Sequence, residues 1–161
     1  MNIQHTKIGN CVPEMTLAQI DNATTAERHI KSLNRIVCVT QHTLHAGIYS
    51  RTLFMPKGSV VAGVIIQVPT TLVLSGKMAV YIGDEVVHID GYNVLPTLGN
   101  RKQVVYAIED SYATLSFRTE AKTIDEAEQE MTAEYERLMS RCPDSVNLVT
   151  ITGDKKWVEQ Q

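Results

Sequence analysis

The sequence is short of the residues that mark several common classes of protein. Its three cysteines, Cys11, Cys38 and Cys142, are an odd number with no CxxC pair, so we predict reduced thiols and no disulfide framework or cysteine metal site. No apolar run approaches the ~20 residues of a membrane helix. Residues 1–10 lack the apolar core of a signal peptide. We therefore expect a soluble cytoplasmic protein with no membrane partner.

An excess of positive charge is also missing. The formal net charge is −3, and the basic residues form no stripe along the chain, so a nucleic-acid partner is not predicted. What the chain does have is enough apolar material for a core, since 43% of its 161 residues are hydrophobic. A chain of this length can fold as one domain without disulfides or metal.

The pattern of apolar residues divides the chain into three parts. Residues 1–35 form an N-terminal helical segment, with one apolar stripe predicting a helix over residues 16–34. Residues 36–118 consist of short β-branched and aromatic runs between turn residues, which is typical of an antiparallel barrel or sandwich. The runs are 36–40, 48–54, 59–68, 71–74, 78–82, 85–89, 92–95, 103–108 and 112–117.

The third part, residues 119–161, contains a helix and a tail. Thr123 and Glu126 have the spacing of a capping box, and the apolar stripe that follows predicts a helix over residues 123–140. Residues 147–152 are predicted to form one further strand. The face of the helix opposite the stripe is acidic and is interpreted as solvated; it consists of Glu126, Glu128, Glu130 and Glu134.

Several segments in a fixed order resemble a bacterial and phage cupin-like family. Residues 49–58 resemble its Tyr-x-Arg strand leading into Pro-x-Gly, residues 63–76 its first motif and residues 96–102 its second. The run 104–110 and the helix that follows also match, so the resemblance covers roughly residues 36–140. It implies a mainly β fold, a cupin-like double-stranded β-helix barrel with flanking N- and C-terminal helices. Because cupins often pair through sheet edges, it also implies a homodimer.

The resemblance fails at the positions that bind metal in working cupins. Such sites use two or three histidines and a glutamate, because a divalent ion needs imidazole or carboxylate lone pairs. Here the first-motif histidines correspond to Val64 and Ile66, the second-motif histidine to Lys102, and a further histidine to Phe117. The glutamate should fall near Thr70 or Thr71. We therefore predict no metal, no cofactor and an aliphatic barrel interior.

That interior follows from the two-residue alternation of strands. If Val64 and Ile66 face inward, so do Val60, Ala62 and Val68 on the same run. An inward Phe117 likewise implies that Ala113 and Leu115 point inward.

The remaining polar residues suggest a binding role rather than catalysis. His42 and His45, in a loop or at a strand end, lack a third metal ligand nearby, so we interpret them as surface or hydrogen-bonded residues. The most informative group would lie at one barrel mouth and suits a small anionic ligand. Its members are Tyr49, Arg51, Gln67, Arg101, Lys102, Tyr106 and Arg118.

Three hypotheses about function follow from these features. The first is a non-catalytic binding protein, in the phage-encoded case acting in the host cytoplasm, that holds a small anionic molecule or a host protein. The second is a metal-independent isomerase or epimerase that uses Tyr106, Lys102 or a histidine as acid and base. The third is a structural or interaction protein that uses the acidic C-terminal helix.

Overall fold

Eight strands and two α-helices make up the computed structural model, which describes residues 11–30, 38–82 and 84–152. Two short 3-10 turns, Tyr135–Arg137 and Met139–Arg141, follow the second helix. The elements in chain order are α1 (Leu17–Ile30), β1 (Val39–His45), β2 (Ile48–Met55), β3 (Val60–Ala62), β4 (Thr70–Ile82), β5 (Glu85–Thr97), β6 (Val104–Ala107), β7 (Ser111–Arg118), α2 (Ile124–Met131) and β8 (Val146–Ile151).

The long β4–β5 hairpin belongs to two sheets at once. β4 pairs with β5 along one of its edges. Along the opposite edge of β4, the first half pairs with β7 and the second half pairs with β6. The first sheet therefore contains β2, β7, the first half of β4 and the second half of β5. The second sheet contains β3, β6, the second half of β4 and the first half of β5. Two four-stranded antiparallel sheets wound in this way form a double-stranded β-helix, so the predicted fold class is confirmed.

The first sheet is wider than this common frame. β1 pairs antiparallel with the outer edge of β2, and β8 then pairs with β1 in the parallel direction. The first sheet thus runs β5, β4, β7, β2, β1, β8 from one edge to the other. β8 confirms the predicted C-terminal strand, with bounds one residue earlier.

A glycine marks the point where β4 passes from one sheet to the other. Gly76 has a φ of +118°, a conformation that residues with a Cβ rarely adopt. A Cβ at this position would lie 2.5 Å from Ser111 Oγ and 2.8 Å from the carbonyl oxygen of Asp110. The corner of the barrel therefore depends on the absence of a side chain at Gly76.

Buried apolar side chains form two clusters. The larger cluster lies between the sheets and contains, among others, Met55, Leu72, Leu74, Met78, Val80 and Ala107. The smaller one lies beneath α2 and contains Leu44, Tyr49, Val64, Phe117, Ala127, Met131 and Leu138. Burial on alternate residues of each strand explains why the same strands carry an apolar inner and a more polar outer face.

The two helices cover different parts of the barrel. α1 packs against β3 and β6 on the outer side of the second sheet, where Ala23 is completely buried. α2 covers one end of the barrel through Ala127 and Met131. Its N-terminus confirms the predicted Thr123 cap, because the backbone N–H of Glu126 donates to Thr123 Oγ1 at 3.2 Å. Within the described residues, no helix has the length and apolar character needed to cross a membrane.

Several element predictions are wrong in extent: β1 extends to His45 instead of ending at residue 40, and β4 and β5 are each one long strand instead of two short ones. The C-terminal helix, predicted over residues 123–140, ends at Met131 because Thr132 is extended with φ −156°, and the chain continues in 3-10 turns. The run 59–68 forms only the short strand β3, followed by a loop with a single bridge between Ile66 and Arg101. Because this run is no continuous strand, its alternation fails at one position, and the buried residue of β3 is Val61 rather than Val60. The first helix agrees with its prediction; residues 31–34 of that prediction lie outside the described residues.

Candidate functional site

A cavity of about 130 Å³ occupies the interior of the barrel next to the end that α2 covers. Val64 and Ile66 face this cavity, and so do Ala113 and Leu115 from β7, as the sequence predicted. The rest of its apolar wall consists of Leu53, Met55, Val61, Ala62, Leu72, Val105, Met131, Leu138 and Met139. The expected aliphatic interior is therefore confirmed, and it encloses space rather than being completely filled.

Arg101 brings a positive charge into this apolar wall. Its residue is only 2% exposed, and one terminal nitrogen donates to Thr70 Oγ1 at 2.5 Å. Its Nε–H has no hydrogen-bond partner, and none of the described carboxylates lies within ion-pair distance of its guanidinium. Burial lowers the pKa of Arg101 to about 10, an effect that Cys11 partly offsets. The side chain is thus a desolvated cation at neutral pH whose charge is not compensated.

Two loops hold Arg101 in place. Its backbone N–H and C=O pair with those of Ile66 at 3.2 and 2.9 Å. The preceding Gly99 approaches the loop so closely that a Cβ there would lie 2.1 Å from the carbonyl oxygen of Gln67. Beyond the guanidinium, Thr70 Oγ1 donates to Thr97 Oγ1 at 2.8 Å, because the Thr97 hydroxyl itself donates to the Thr70 carbonyl oxygen. The position of the charge is therefore set by packed backbone and by a threonine pair.

Gln103 and Arg51 are the other polar residues deep in the cavity wall, and they differ in how they are satisfied. The side-chain Nε2 of Gln103 is buried and has no hydrogen-bond partner. Arg51 is ion-paired, since its Nη1 donates to Glu128 Oε1 at 2.7 Å and to Ser140 Oγ at 2.9 Å. The buried donors without a partner therefore belong to Arg101 and Gln103, two residues that contribute to the cavity wall.

An ion-pair network adjoins the cavity at Arg137. Lys102 Nζ, with a side chain 1% exposed, lies 2.8 Å from Glu27 Oε2 of α1. Arg137, which also lines the cavity and has a side chain 44% exposed, contacts Glu27 Oε1 at 2.8 Å and is also paired with Glu134. Glu134 in turn accepts from the backbone N–H of Ile65 at 2.8 Å. These contacts fix α1 and the first 3-10 turn against the barrel.

A second buried network surrounds Glu128. Arg141 donates to Glu128 Oε2 from Nε at 2.9 Å, which adds to the contacts from Arg51. His42 is buried between this carboxylate and Tyr49; the Tyr49 hydroxyl donates to His42 Nδ1 at 2.8 Å, and His42 Nε2 donates to Asn147 Oδ1 at 3.1 Å. Burial lowers the pKa of His42 and raises the pKa of Tyr49 to about 12. Of these groups, Arg51 alone lines the cavity. The network has a structural role, because it joins β1, β2, α2 and β8.

The residues at the cavity do not fit the divalent metal that working cupins bind. Val64 and Ile66 offer no lone pairs, and the polar groups on the wall are the cations Arg51, Arg101 and Arg137 and the amide of Gln103. Positive charge on the wall opposes binding of a second cation. Over the described ranges, no three histidine, cysteine or carboxylate side chains converge on one point. A metal-free barrel stays a prediction.

The seven residues predicted to lie at one barrel mouth are not brought together. Arg51 and Arg101 line the cavity, whereas Tyr49 is buried behind it and Lys102 is held by Glu27. The other three point away from the interior: Gln67 is exposed in a loop, Tyr106 is 45% exposed on the outer side of β6, and the Arg118 side chain is 87% exposed beside Glu120. Their role in binding a ligand stays untested, but the expected single cluster is reduced to two members.

Sequence reasoning missed Gln103 and misplaced His42 and Glu128. His42 lies on β1 with Thr40 and Leu44 on the same inner face. A prediction that extended this strand to His45 would have placed His42 among the buried residues, because alternate residues of a strand share a face. Glu128 was placed on a solvated acidic face, yet it is 2% exposed. It adjoins Ala127 and lies three residues before Met131, which puts it on the edge of the buried stripe. Nothing in the sequence indicated that Gln103 would lack a partner.

Comparison with known proteins finds similar solved structures but no similar sequence family. No family model and no curated protein sequence matches the chain. Among solved structures, it is similar to a cupin superfamily protein from Desulfitobacterium hafniense, with 8% identity, a TM-score of 0.45, and coverage of 56% of this chain and 87% of that one. An RmlC-like cupin with a double-stranded β-helix fold from Methanocaldococcus jannaschii shows 12% identity and a TM-score of 0.44 over 53% and 84%. A protein of unknown function from Streptococcus pyogenes shows 13% identity and 0.43 over 75% and 94%. The cupin-like fold rests on the strand pairing described above.

Proposed function

We propose that the barrel binds a small organic anion, with its carboxylate at Arg101 and its apolar body in the cavity. The observation that carries this proposal is the buried, unpartnered Nε–H of Arg101, a residue of the largely apolar cavity wall. A buried cation without a counter-charge is costly, because removing an ion from water costs several kcal/mol unless another charge compensates it. A carboxylate ligand supplies that charge and accepts the unused hydrogen bonds.

The remaining donor at the cavity supports the same ligand chemistry. Gln103 Nε2 is buried without a partner, so it is a second N–H group available to an anionic oxygen. Arg51 contributes little to such a ligand, because Glu128 already neutralises it at 2.7 Å. A carboxylate presents two acceptor oxygens, which matches one guanidinium and one amide donor.

The size of the cavity limits the ligand. A dry, engineered protein cavity of about 150 Å³ binds benzene, a molecule of six carbon atoms. By that measure the present cavity of about 130 Å³ accommodates a ligand of roughly five to six non-hydrogen atoms. This corresponds to a monocarboxylate with a short aliphatic chain, whose tail would contact Met55, Leu72 and Leu115.

The test is a thermal-shift and calorimetric series with straight-chain carboxylates from acetate to octanoate. We expect the unfolding midpoint to rise by mass action, most strongly for chains of intermediate length, and the corresponding neutral alcohols to have little effect. The Arg101→Met variant should lose the response. Arg118→Met is the matched control, because it removes an arginine that is exposed and outside the cavity.

Two results would overturn the proposal. One is an equal response to carboxylates and to alcohols of the same length, which would mean that the cavity selects only for apolar bulk. The other is an unchanged carboxylate response in Arg101→Met, which would place the binding site elsewhere.

A further inference from the structure

Arg137 belongs both to the cavity wall and to the surface of the protein. Its side chain lines the cavity and is 44% exposed. The other described residues of the wall are all buried or half-buried. Because this side chain stands between solvent and the cavity, a movement of Arg137 opens a path from one to the other.

Two carboxylates from different parts of the chain hold Arg137 in this position. Its Nη2 donates to Glu27 Oε1 of α1 at 2.8 Å, and its Nη1 is paired with Glu134 at the start of the 3-10 turn. Glu134 is fixed to the barrel, because its other carboxylate oxygen accepts from the backbone N–H of Ile65 at 2.8 Å. Glu27 lies on a separate helix, so the contact between Arg137 and Glu27 ties the turn to α1.

The pair between Arg137 and Glu27 is the contact of this network that breaks at the lowest cost. Lys102 Nζ, with a side chain 1% exposed, lies 2.8 Å from Glu27 Oε2, so Glu27 keeps a buried counter-charge when Arg137 leaves. Arg137 in turn keeps Glu134 and its contact with solvent. Separating Lys102 from Glu27 is costlier, because the buried ammonium would then have, among the described carboxylates, Glu134 at 3.9 Å.

The helix that carries Glu27 is only lightly attached to the barrel. Of the 14 residues of α1, Ala23 and Glu27 are the buried ones. They are four residues apart and therefore lie on the same face of the helix. An alanine methyl buries little apolar area, so a local displacement of this part of α1 loses few apolar contacts.

We propose that the ion pair between Arg137 and Glu27 is a gate through which anions reach Arg101. The identity of the ligand rests on the function proposed above, whereas the path into the cavity does not. An incoming carboxylate replaces Glu27 on Arg137 while Glu27 stays with Lys102, so each ion keeps a partner of opposite charge during entry. The ligand then moves along the apolar wall to the uncompensated guanidinium of Arg101.

The experiment measures how fast hydrogen peroxide oxidises buried methionines of the unliganded full chain to their sulfoxides. Met55 and Met131 line the cavity, whereas Met78 is as deeply buried in the larger cluster but does not line it. Met78 therefore reports general loosening of the barrel, and the other two report access to the cavity. Position-resolved mass spectrometry separates the three rates.

Two variants of Arg137 open the gate in different ways. Arg137→Ala removes the side chain, and Arg137→Gln keeps most of its bulk but not its charge. In both variants we expect oxidation of Met55 and Met131 to rise about tenfold and that of Met78 to stay unchanged, because a charged hydrogen bond of the closed state is lost. Arg28→Ala is the matched control, since Arg28 is an exposed arginine of α1 outside the cavity, and it should change none of the rates.

Butyrate tests the same gate with an anion of the proposed class. Its association and dissociation rates can be measured from the line shapes of its NMR signals. Both Arg137 variants should raise the two rates together and change the dissociation constant much less, because the contact with Arg101 is untouched.

The outcomes separate the gate from the proposed ligand. Unchanged oxidation of Met55 and Met131 in both variants overturns the gate, and so does an equal rise at Met78. Acceleration by Arg137→Ala alone overturns it as well, because the side chain would then close the path by its bulk and not by its ion pair. If the cavity methionines are oxidised selectively faster but the wild type does not bind butyrate, the gate stands and the proposed anion ligand is wrong.

Discussion

Two buried arginines of the same barrel should respond to the same substitution with opposite signs. Arg101 has an uncompensated charge, whereas Arg51 is bound to the carboxylate of Glu128. Methionine approximates the length of either side chain without its charge. We therefore expect Arg101→Met to stabilise the protein in the absence of ligand and Arg51→Met to destabilise it.

The magnitude for Arg101 follows from its pKa. A pKa of about 10 in place of 12.5 corresponds to roughly 3 kcal/mol against the charged form. Because the folded-state pKa is the lower one, this penalty is present at every pH below about 10. Losing the hydrogen bond to Thr70 offsets about 2 kcal/mol of the gain. The net effect is about 1 kcal/mol of added stability, or about 2–4 °C in the unfolding midpoint.

For Arg51 the same substitution leaves Glu128 with one fewer counter-charge in a buried site. Removing one partner of a buried ion pair costs about 3–5 kcal/mol. The assay is urea unfolding of both variants beside the wild type at neutral pH, followed by fluorescence and circular dichroism. If Arg101→Met is destabilised by about as much as Arg51→Met, the guanidinium of Arg101 is compensated in the folded protein, and the reasoning behind the ligand site fails with it.

Three further predictions concern the frame and the interior. Gly76→Ala should cost about 3 kcal/mol because its Cβ meets Ser111 and Asp110, whereas Gly91→Ala, with nothing within 4 Å of the added Cβ, should cost about 1 kcal/mol; equal losses in urea unfolding would contradict the corner assignment. Burial holds the pKa of His42 below its ordinary 6.5, so the unfolded state binds the proton more readily and stability should decline as pH falls below 6.5; a His42→Gln variant with an unchanged pH profile would assign that decline to other groups. Elemental analysis of the purified chain should find no stoichiometric transition metal, and a stoichiometric one would refute the predicted metal-free barrel.

The barrel could be predicted from the sequence because strands and turns are indicated by residues that are close together along the chain. Turn residues separate the β-branched runs, and alternation along β7 placed Ala113 and Leu115 inside. The same local reasoning wrongly divided β4 at Gly76 and β5 at Gly91, which are continuous strands in the structure. A glycine inside a strand looks like a turn residue until the pairing of that strand is known. The helix after Thr123 was predicted too long, because the apolar stripe continues through Tyr135 and Leu138, although Tyr135 lies in a 3-10 turn and Leu138 lies between the two turns.

The candidate site could be predicted only in part, because its essential property is a missing contact. Sequence reasoning included Arg101 among the polar residues at the mouth, but it could not distinguish Arg101 from Arg51. That difference depends on Glu128, 77 residues from Arg51 along the chain, and on the absence of any such carboxylate near Arg101. The packing of α2 decides which arginine is neutralised, and the residue spacing around Arg51 and Arg101 does not reveal it.

The connectivity of the strands also determines when the barrel can form. The β1–β2 and β4–β5 hairpins join neighbouring segments, but Ser50 and Ser116 of the β2–β7 ladder are 66 residues apart, and His42 and Asn147 are 105 apart. Contacts between segments that are far apart in the sequence form late and slow folding. During synthesis the two hairpins therefore wait with unpaired edges until β7 and then β8 emerge. A chain shortened before β8 would keep β1 as an open edge and would be prone to aggregate through it.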